Sequence, residues 1–208
     1  MTDAKLSDLD LAALLCSRVC HDVISPVGAI ANGLELADDP DTDAETREMA
    51  LEMVRSSART ASAKLKFCRI AFGAAGSAGA MIDMGEAGET AAAFVGSEKV
   101  KLDWQAPREN RPKQQVKMVL NMLLMAMAAI PRGGVVTISI DGETFLARAK
   151  GDRAKLPEAT LQVLDGSVDL ATVDARLVQP YYAKQLAQSA GLTLTMAMDG
   201  DDVLVKAA

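Results

Sequence analysis

Two long amphipathic segments, separated by a short acidic turn, constrain this chain more than any other feature. In residues 6–37 apolar side chains recur at steps of three and four, at Ala12, Leu15, Val19, Val23, Val27, Ile30 and Leu34. Residues 44–72 repeat the spacing, through Met49, Met53, Ser56, Thr60, Ala63 and Phe67. Such spacing places each set on one face of a helix. The sequence therefore predicts two long helices, the first kinked at Pro26.

The connection DDPDTD (residues 38–43) is short, and Asp43 is a suitable N-cap for the second helix. Two long helices joined by a short turn form an antiparallel hairpin. Such a hairpin buries only one face of each helix against the other. Pairing of two copies into a four-helix bundle would cover the remaining apolar surface, so we expect a homodimer.

The small-residue segment GAAGSAGA (residues 73–80) predicts a domain boundary, with a helical domain at 1–75 and a second domain at 81–208. In the second domain the pattern changes to mixed helices and strands. Helices are predicted at 85–96, 113–130, 156–164 and 173–189. Strands are predicted at 99–104, 135–140, 144–150, 192–198 and 203–206. The expected fold class is α+β, with the second domain a sandwich whose helices cover one face of a mixed sheet.

Composition narrows the functional classes. Half of the residues are apolar but only 3% are aromatic, which favours helices built from Ala, Leu and Met. The net charge of −6, with no basic stretch, argues against nucleic-acid binding. The apolar run at 118–130 is too short to cross a bilayer, and the N-terminus lacks the segments of a signal peptide. We expect a cytoplasmic protein that does not bind membranes.

The three cysteines, Cys16, Cys20 and Cys68, do not form the pattern of a disulfide framework. Cys16 and Cys20 lie one helical turn apart, and such residues are usually apolar fillers. Helical spacing turns His21 away from both thiols, and no fourth ligand stands out. We therefore expect no metal site.

His21 is the chain's only histidine. A single histidine is more often structural than catalytic, but the placement of this one favours function. At about 100° per residue it points roughly 170° away from the apolar stripe of the first helix. The predicted partner-binding face around it carries Ser17, Arg18, Ser25, Gly28 and Asn32, with Leu14 and Ile24 at its flanks.

A neutral imidazole keeps a lone pair on one ring nitrogen, which can attack phosphorus. The neighbouring Asp22 can hold the other nitrogen as N–H and so fix the tautomer. Arg18, about one turn earlier, could steady the incoming charge. It could equally be a solvated surface residue, and the sequence leaves both interpretations open.

The segment from His21 to Ile30, HDVISPVGAI, resembles the H-box of histidine kinases. That motif has a histidine, an acidic residue, two variable positions, a small polar residue and proline. The predicted hairpin is similar to the dimerisation and histidine-phosphotransfer domain of those kinases.

The second domain resembles the kinase ATP-binding (Bergerat) domain without its nucleotide motifs. LNMLLMA (residues 120–126) is similar to the N-box, but Met125 stands where a second asparagine would hold Mg²⁺–ATP. A thioether is a poor ligand for such a hard cation. GDRAKL (151–156) lacks the Asp-x-Gly-x-Gly spacing of the adenine loop, and LVQP (177–180) replaces the glycine-rich lid. We therefore expect no ATP binding, and we interpret Asn121 as structural.

An H-box hairpin followed by a degenerate ATP domain resembles the ChpT-type histidine phosphotransferases of alphaproteobacteria. The resemblance implies a homodimer with a central four-helix bundle and a part in cell cycle regulation. It also implies relay from the receiver domain of a CckA-type hybrid kinase, through His21, to CtrA- and CpdR-type response regulators. No cofactor is expected in this chain, and Mg²⁺ is expected in the partner receiver. Two alternatives remain: an active histidine kinase with an unusual nucleotide site, and a non-catalytic dimeric scaffold.

Overall fold

The N-terminal part of the computed structural model is a helical hairpin, as predicted. The structure describes residues 5–73, 79–96 and 99–208. Helix α1 spans Asp8–Asp38 and runs through Pro26 without a break, and α2 spans Ala44–Ala71. Asp43 is the N-cap of α2, since its carboxylate accepts hydrogen bonds from the backbone N–H groups of Glu45 and Thr46.

The two helices approach closely at Gly33 of α1. A Cβ atom at this position would lie 2.7 Å from Cγ2 of Val54 and 3.2 Å from the carbonyl oxygen of Ala50. Arg47 closes the end of the hairpin by donating from Nε to the Ala37 carbonyl oxygen, at 2.9 Å. The absence of a side chain at residue 33 therefore sets how tightly α1 packs on α2.

The C-terminal part is a five-stranded mixed sheet with helices on one face. The strands are β2 (Val100–Trp104), β4 (Gly134–Asp141), β5 (Thr144–Lys150), β6 (Leu194–Asp199) and β7 (Asp202–Ala207). Their order is β2-β4-β5-β7-β6, with only β2 and β4 parallel. The helices are α3 (Met84–Val95), α4 (Lys113–Ala129), α5 (Glu158–Asp165) and α6 (Val178–Ser189). Alternate residues of the central strands are buried beneath them, including Phe145, Ala147 and Ala149 of β5. The predicted α+β class is confirmed.

The start of one helix was predicted wrongly, and two short elements were not predicted. The helix expected from residue 173 begins at Val178, because the Asp174 carboxylate accepts from the N–H groups of Arg176 and Leu177 and forms a turn before it. A 3-10 turn at Leu170–Thr172 and a small antiparallel sheet of β1 (Met81–Asp83) and β3 (Asn110–Pro112) were not predicted. Elements of three residues are too short to show a periodicity.

The linker predicted at 73–80 falls largely on residues 74–78, which lie outside the described residues, so the domain boundary stays a prediction. On either side of it, the end of α2 shares a core with the C-terminal part. Phe67, Ile70 and Ala71 belong to the same buried apolar cluster as α3 and α4. The rings of Phe67 and Phe94 stack with their centroids 4.0 Å apart.

A buried polar network joins the hairpin to the C-terminal part at the end of α2. Asn121 of α4 is fully buried, and its Nδ2 donates to the carbonyl oxygens of Ala71 at 3.1 Å and Lys117 at 2.8 Å. Gln179 of α6 donates from Nε2 to Oδ1 of Asn121 at 3.1 Å. Asn121 therefore satisfies a carbonyl that the end of α2 leaves without a helical partner.

Aromatic contacts flank this network. The Nζ of Lys117 donates to the hydroxyl of Tyr182 at 3.1 Å, and Phe72 packs obliquely against the Tyr182 ring. Burial lowers the pKa of Lys117 and raises the pKa of Tyr182. The backbone N–H of Leu6 donates to the Tyr181 hydroxyl at 3.0 Å. The segment before α1 and the end of α2 therefore both contact α6.

Helix α1 is long enough and apolar enough to cross a membrane by length and composition, and little of its apolar window is buried within the chain. It also carries the ion pair of Arg18 and Asp22 near its middle, beside His21. Charges at such a depth in hydrocarbon are costly. The exposed apolar surface of α1 is equally expected of a helix that packs against another protein surface.

We expect Asn121→Ala to lower the free energy of unfolding by about 1–3 kcal/mol, because it removes the buried amide that donates to the Ala71 carbonyl and accepts from Gln179. Urea unfolding followed by circular dichroism measures the loss. Asn32→Ala, on the exposed face of α1, is the matched control and should change stability by less than ~0.5 kcal/mol. Equal losses in the two variants would contradict the structural role of Asn121.

Candidate functional site

His21 lies in the middle of α1 with its side chain 64% exposed. The face of α1 that packs on α2 carries the buried residues Pro26, Gly33 and Ala37. At about 100° per residue, His21 lies far from that face. Its imidazole is therefore open to a large partner such as another protein.

Asp22 links His21 to Arg18. Its Oδ1 lies 3.4 Å from Nδ1 of His21, and its Oδ2 lies 2.9 Å from Nε of Arg18. The first distance is longer than a strong hydrogen bond, and the second is that of a good charge-assisted one. The side chains of Asp22 and Arg18 are only 15% and 21% exposed. The interpretation of Arg18 as a solvated surface residue is therefore wrong.

The other predicted partner-binding residues surround His21 on α1. Ser17, Ser25, Gly28 and Asn32 are exposed, and Leu14 is half-buried. A Cβ atom built on Gly28 would meet nothing within 4 Å. Ile24, one turn after His21, is among the most exposed large apolar side chains. This face thus combines the exposed imidazole with small polar residues and one apolar contact point.

The sequence missed the pairing of Arg18 with Asp22, although their spacing offered a signal. Opposite charges four residues apart on a helix are neighbours. The spacing alone did not show whether the Arg18 side chain pairs with Asp22 or lies free in solvent. The partial burial of both side chains shows that they pair.

A shallow apolar groove of about 420 Å³ lies between α1 and α2, to one side of the His21 face. Its lining includes Leu15, Cys16, Val19 and Cys20 of α1, and Leu65 and Cys68 of α2. Cys16 and Cys20 are exposed, whereas Cys68 is buried. The interpretation of the cysteines as apolar fillers therefore fits the buried Cys68, whereas Cys16 and Cys20 stay exposed within this chain.

In the C-terminal part, the residues that the kinase resemblance would assign to nucleotide are engaged with the protein. Asn121 is bound to Ala71, Lys117 and Gln179, and Met125 is buried. Among the described residues, no group of three or more His, Cys, Asp or Glu side chains is placed to hold a metal ion.

Comparison with known proteins identifies the class of protein to which this chain belongs. The model of the histidine phosphotransferase C-terminal domain matches residues 84–202. The protein phosphotransferase ChpT of Brucella abortus (strain 2308) is 45% identical over 206 residues, which is 97% of each chain. A solved structure of a bacterial phosphotransferase superposes with a TM-score of 0.89 at 42% identity, covering 99% of both chains.

Similarity of this extent, in both sequence and fold, defines a protein phosphotransferase that works in a phosphorelay. The chain belongs to the ChpT-type histidine phosphotransferases.

We expect Cys68 to resist alkylation by iodoacetamide at pH 8, because only the thiolate reacts and burial raises the pKa of this thiol to about 11. Peptide mass spectrometry of the native chain should find Cys68 unmodified, and the same treatment in urea should modify it. Equal labelling in native and unfolded protein would contradict the burial of this thiol.

Proposed function

We propose that His21 carries the phosphoryl group between two receiver domains. A ring nitrogen attacks the phosphorus of an aspartyl phosphate on the first receiver, so an N–P bond forms and the acyl O–P bond breaks. The aspartate of a second receiver then attacks the phosphohistidine, and the N–P bond breaks. The observation that carries this proposal is the exposure of the chain's only imidazole on a face that is open to a protein partner.

Asp22 selects the attacking nitrogen. Its Oδ1 faces Nδ1 of His21, which favours a proton on Nδ1 and leaves the Nε2 lone pair free. The phosphoryl group is therefore carried on Nε2, the nitrogen farther from the helix backbone. During attack the ring becomes positively charged, and the Asp22 carboxylate stabilises that charge.

The phosphoryl source is a phosphorylated protein and not ATP. The amide of Asn121 is used up by Ala71 and Gln179, and Met125 supplies no oxygen ligand for Mg²⁺. The Mg²⁺ that offsets charge on the transferring group belongs to the receiver domain. The donor is the receiver of a CckA-type hybrid kinase, the acceptors are CtrA- and CpdR-type regulators, and the exchange takes place in the cytoplasm.

The chain works as a homodimer whose hairpins form a four-helix bundle. An apolar stripe beside the groove supports this, since Cys16, Cys20, Val27 and Leu34 follow one another along one side of α1 and are all exposed. On α2, Leu65 lines the same groove as Cys16 and Cys20 and is also exposed. Contiguous apolar patches of this kind are typical of protein interfaces.

We expect His21→Gln to abolish phosphotransfer while leaving the fold intact. The purified chain is incubated with the ³²P-labelled receiver of a CckA-type kinase, and label is followed on the chain and on a second receiver. The wild type should acquire an acid-labile phosphoryl group, and the variant should not. Transfer to the second receiver through His21→Gln would contradict the proposal, and labelling of the wild type by ATP alone would contradict the proposed source.

Two leucines of nearly equal exposure test the dimer. Leu34 is 43% exposed and Leu36 is 41% exposed, but they point roughly 200° apart around α1. We expect Leu34→Glu, on the side of the groove, to shift the chain towards monomer in light scattering after size-exclusion chromatography. Leu36→Glu should leave the dimer unchanged. A monomeric wild type, or equal effects of the two variants, would contradict this interface.

A further inference from the structure

We propose that Arg18 is a positioning residue that acts on His21 through Asp22, and not a direct contact of the incoming phosphoryl group. The inference rests on the proposed function of His21 and extends it by one residue. In this proposal Arg18 orients the Asp22 carboxylate and balances its charge, and that carboxylate in turn sets the tautomer of the imidazole.

The geometry divides the two oxygens of Asp22 between two partners. Oδ2 accepts from Nε of Arg18 at 2.9 Å, while Oδ1 faces Nδ1 of His21 at 3.4 Å. A free aspartate rotates about two side-chain torsions, and its carboxylate samples many directions. Once Oδ2 is held by Arg18, the plane of the carboxylate is fixed and Oδ1 points at the ring. Asp22 needs such an anchor because its contact with the imidazole is too long to hold it alone.

The order of the two charges argues against a mainly helix-stabilising role. An acid four residues before a base complements the helix dipole better than the reverse, and here the base comes first. The pair is also less exposed than a surface pair of α2, in which Arg55 and Glu48 are 49% and 70% exposed. A half-buried pair is screened less by water and salt, so it holds its geometry more firmly.

The pair lies on the side of α1 that is turned towards α2. Both charges act on the buried thiol of Cys68, as does the charge of Lys64. The pair is therefore close to α2, while His21 projects from α1 into solvent. This is the arrangement expected of a support for a reacting group that must itself remain accessible.

Charge balance gives Arg18 a second effect. An unpaired carboxylate within 4 Å of the imidazole would repel the negatively charged phosphoryl group as it approaches the ring. Arg18 neutralises Asp22 in advance, so the carboxylate can hold the tautomer without opposing the reaction. The repulsion would act on the transfer step and not only on docking.

The test uses ¹⁵N-labelled histidine in the full chain at pH 8. Because His21 is the only histidine, its two ring nitrogens give unambiguous chemical shifts that report the tautomer. A free neutral imidazole in water favours a proton on Nε2. We expect the wild type to favour Nδ1–H, and Arg18→Gln and Asp22→Asn to return towards the free ratio. Arg55→Gln, which breaks only the exposed pairs of α2 with Glu48 and Glu52, should behave as the wild type.

The kinetic readout separates positioning from contact. Under saturating phosphorylated receiver, Arg18→Gln should lower the rate constant of transfer to His21 on the order of tenfold, with little change in KM. Arg18→Lys, which retains the charge, should recover part of the rate. An unchanged tautomer in Arg18→Gln would overturn the proposal, as would a raised KM with an unchanged rate constant.

Failure of the proposed function has a different signature. If His21 accepts no phosphoryl group in the wild type, the carrier role fails, and the tautomer measurement still decides whether Arg18 positions Asp22. Circular dichroism of each variant verifies the fold. If Arg18→Gln does not fold, Arg18→Lys decides in its place: a ring shifted towards the free ratio supports the proposal, because the ammonium cannot reproduce the Nε geometry, and an unchanged ring overturns it.

Discussion

The buried amide of Asn121 is the contact on which the arrangement of the two halves depends. It caps the last turn of α2 at Ala71 and accepts a hydrogen bond from Gln179 of α6. An unpaired buried carbonyl is costly, so α2, α4 and α6 must meet in one geometry for all these groups to be satisfied. The stacked rings of Phe67 and Phe94 add apolar contact at the same junction. Separation of the halves would break both sets of contacts.

This junction also gives the C-terminal part a physical role. The resemblance to the N-box would assign Asn121 to a nucleotide site, whereas in this structure its amide donates to the last turn of α2. The C-terminal part thereby buttresses the hairpin through its own side chains.

The sequence was most informative where a pattern repeats over several turns. The apolar spacing of residues 6–37 and 44–72 predicted the hairpin, and Asp43 predicted where α2 begins, because capping is a local interaction. The start of α6 was wrong by five residues, because the competing turn at Asp174 uses the same local signals as a helix. The junction at Asn121 was beyond local reasoning, since its partners lie 50 and 58 residues away. Its structural character could be inferred only from the loss of the nucleotide motifs around it.

Helix α1 has three sides with different neighbours, and the residues of the candidate site are distributed over two of them. One side packs on α2, a second carries the apolar stripe with Val27 and Leu34, and the third presents His21. The pair of Arg18 and Asp22 lies where the first side meets the third, so its charges are partly buried while the imidazole stays open. An exposed imidazole has no pocket to orient it. The residues that orient the ring must therefore belong to α1 itself, on the side away from the approaching partner. Arg18 and Asp22 meet this requirement, and both lie within one turn of His21.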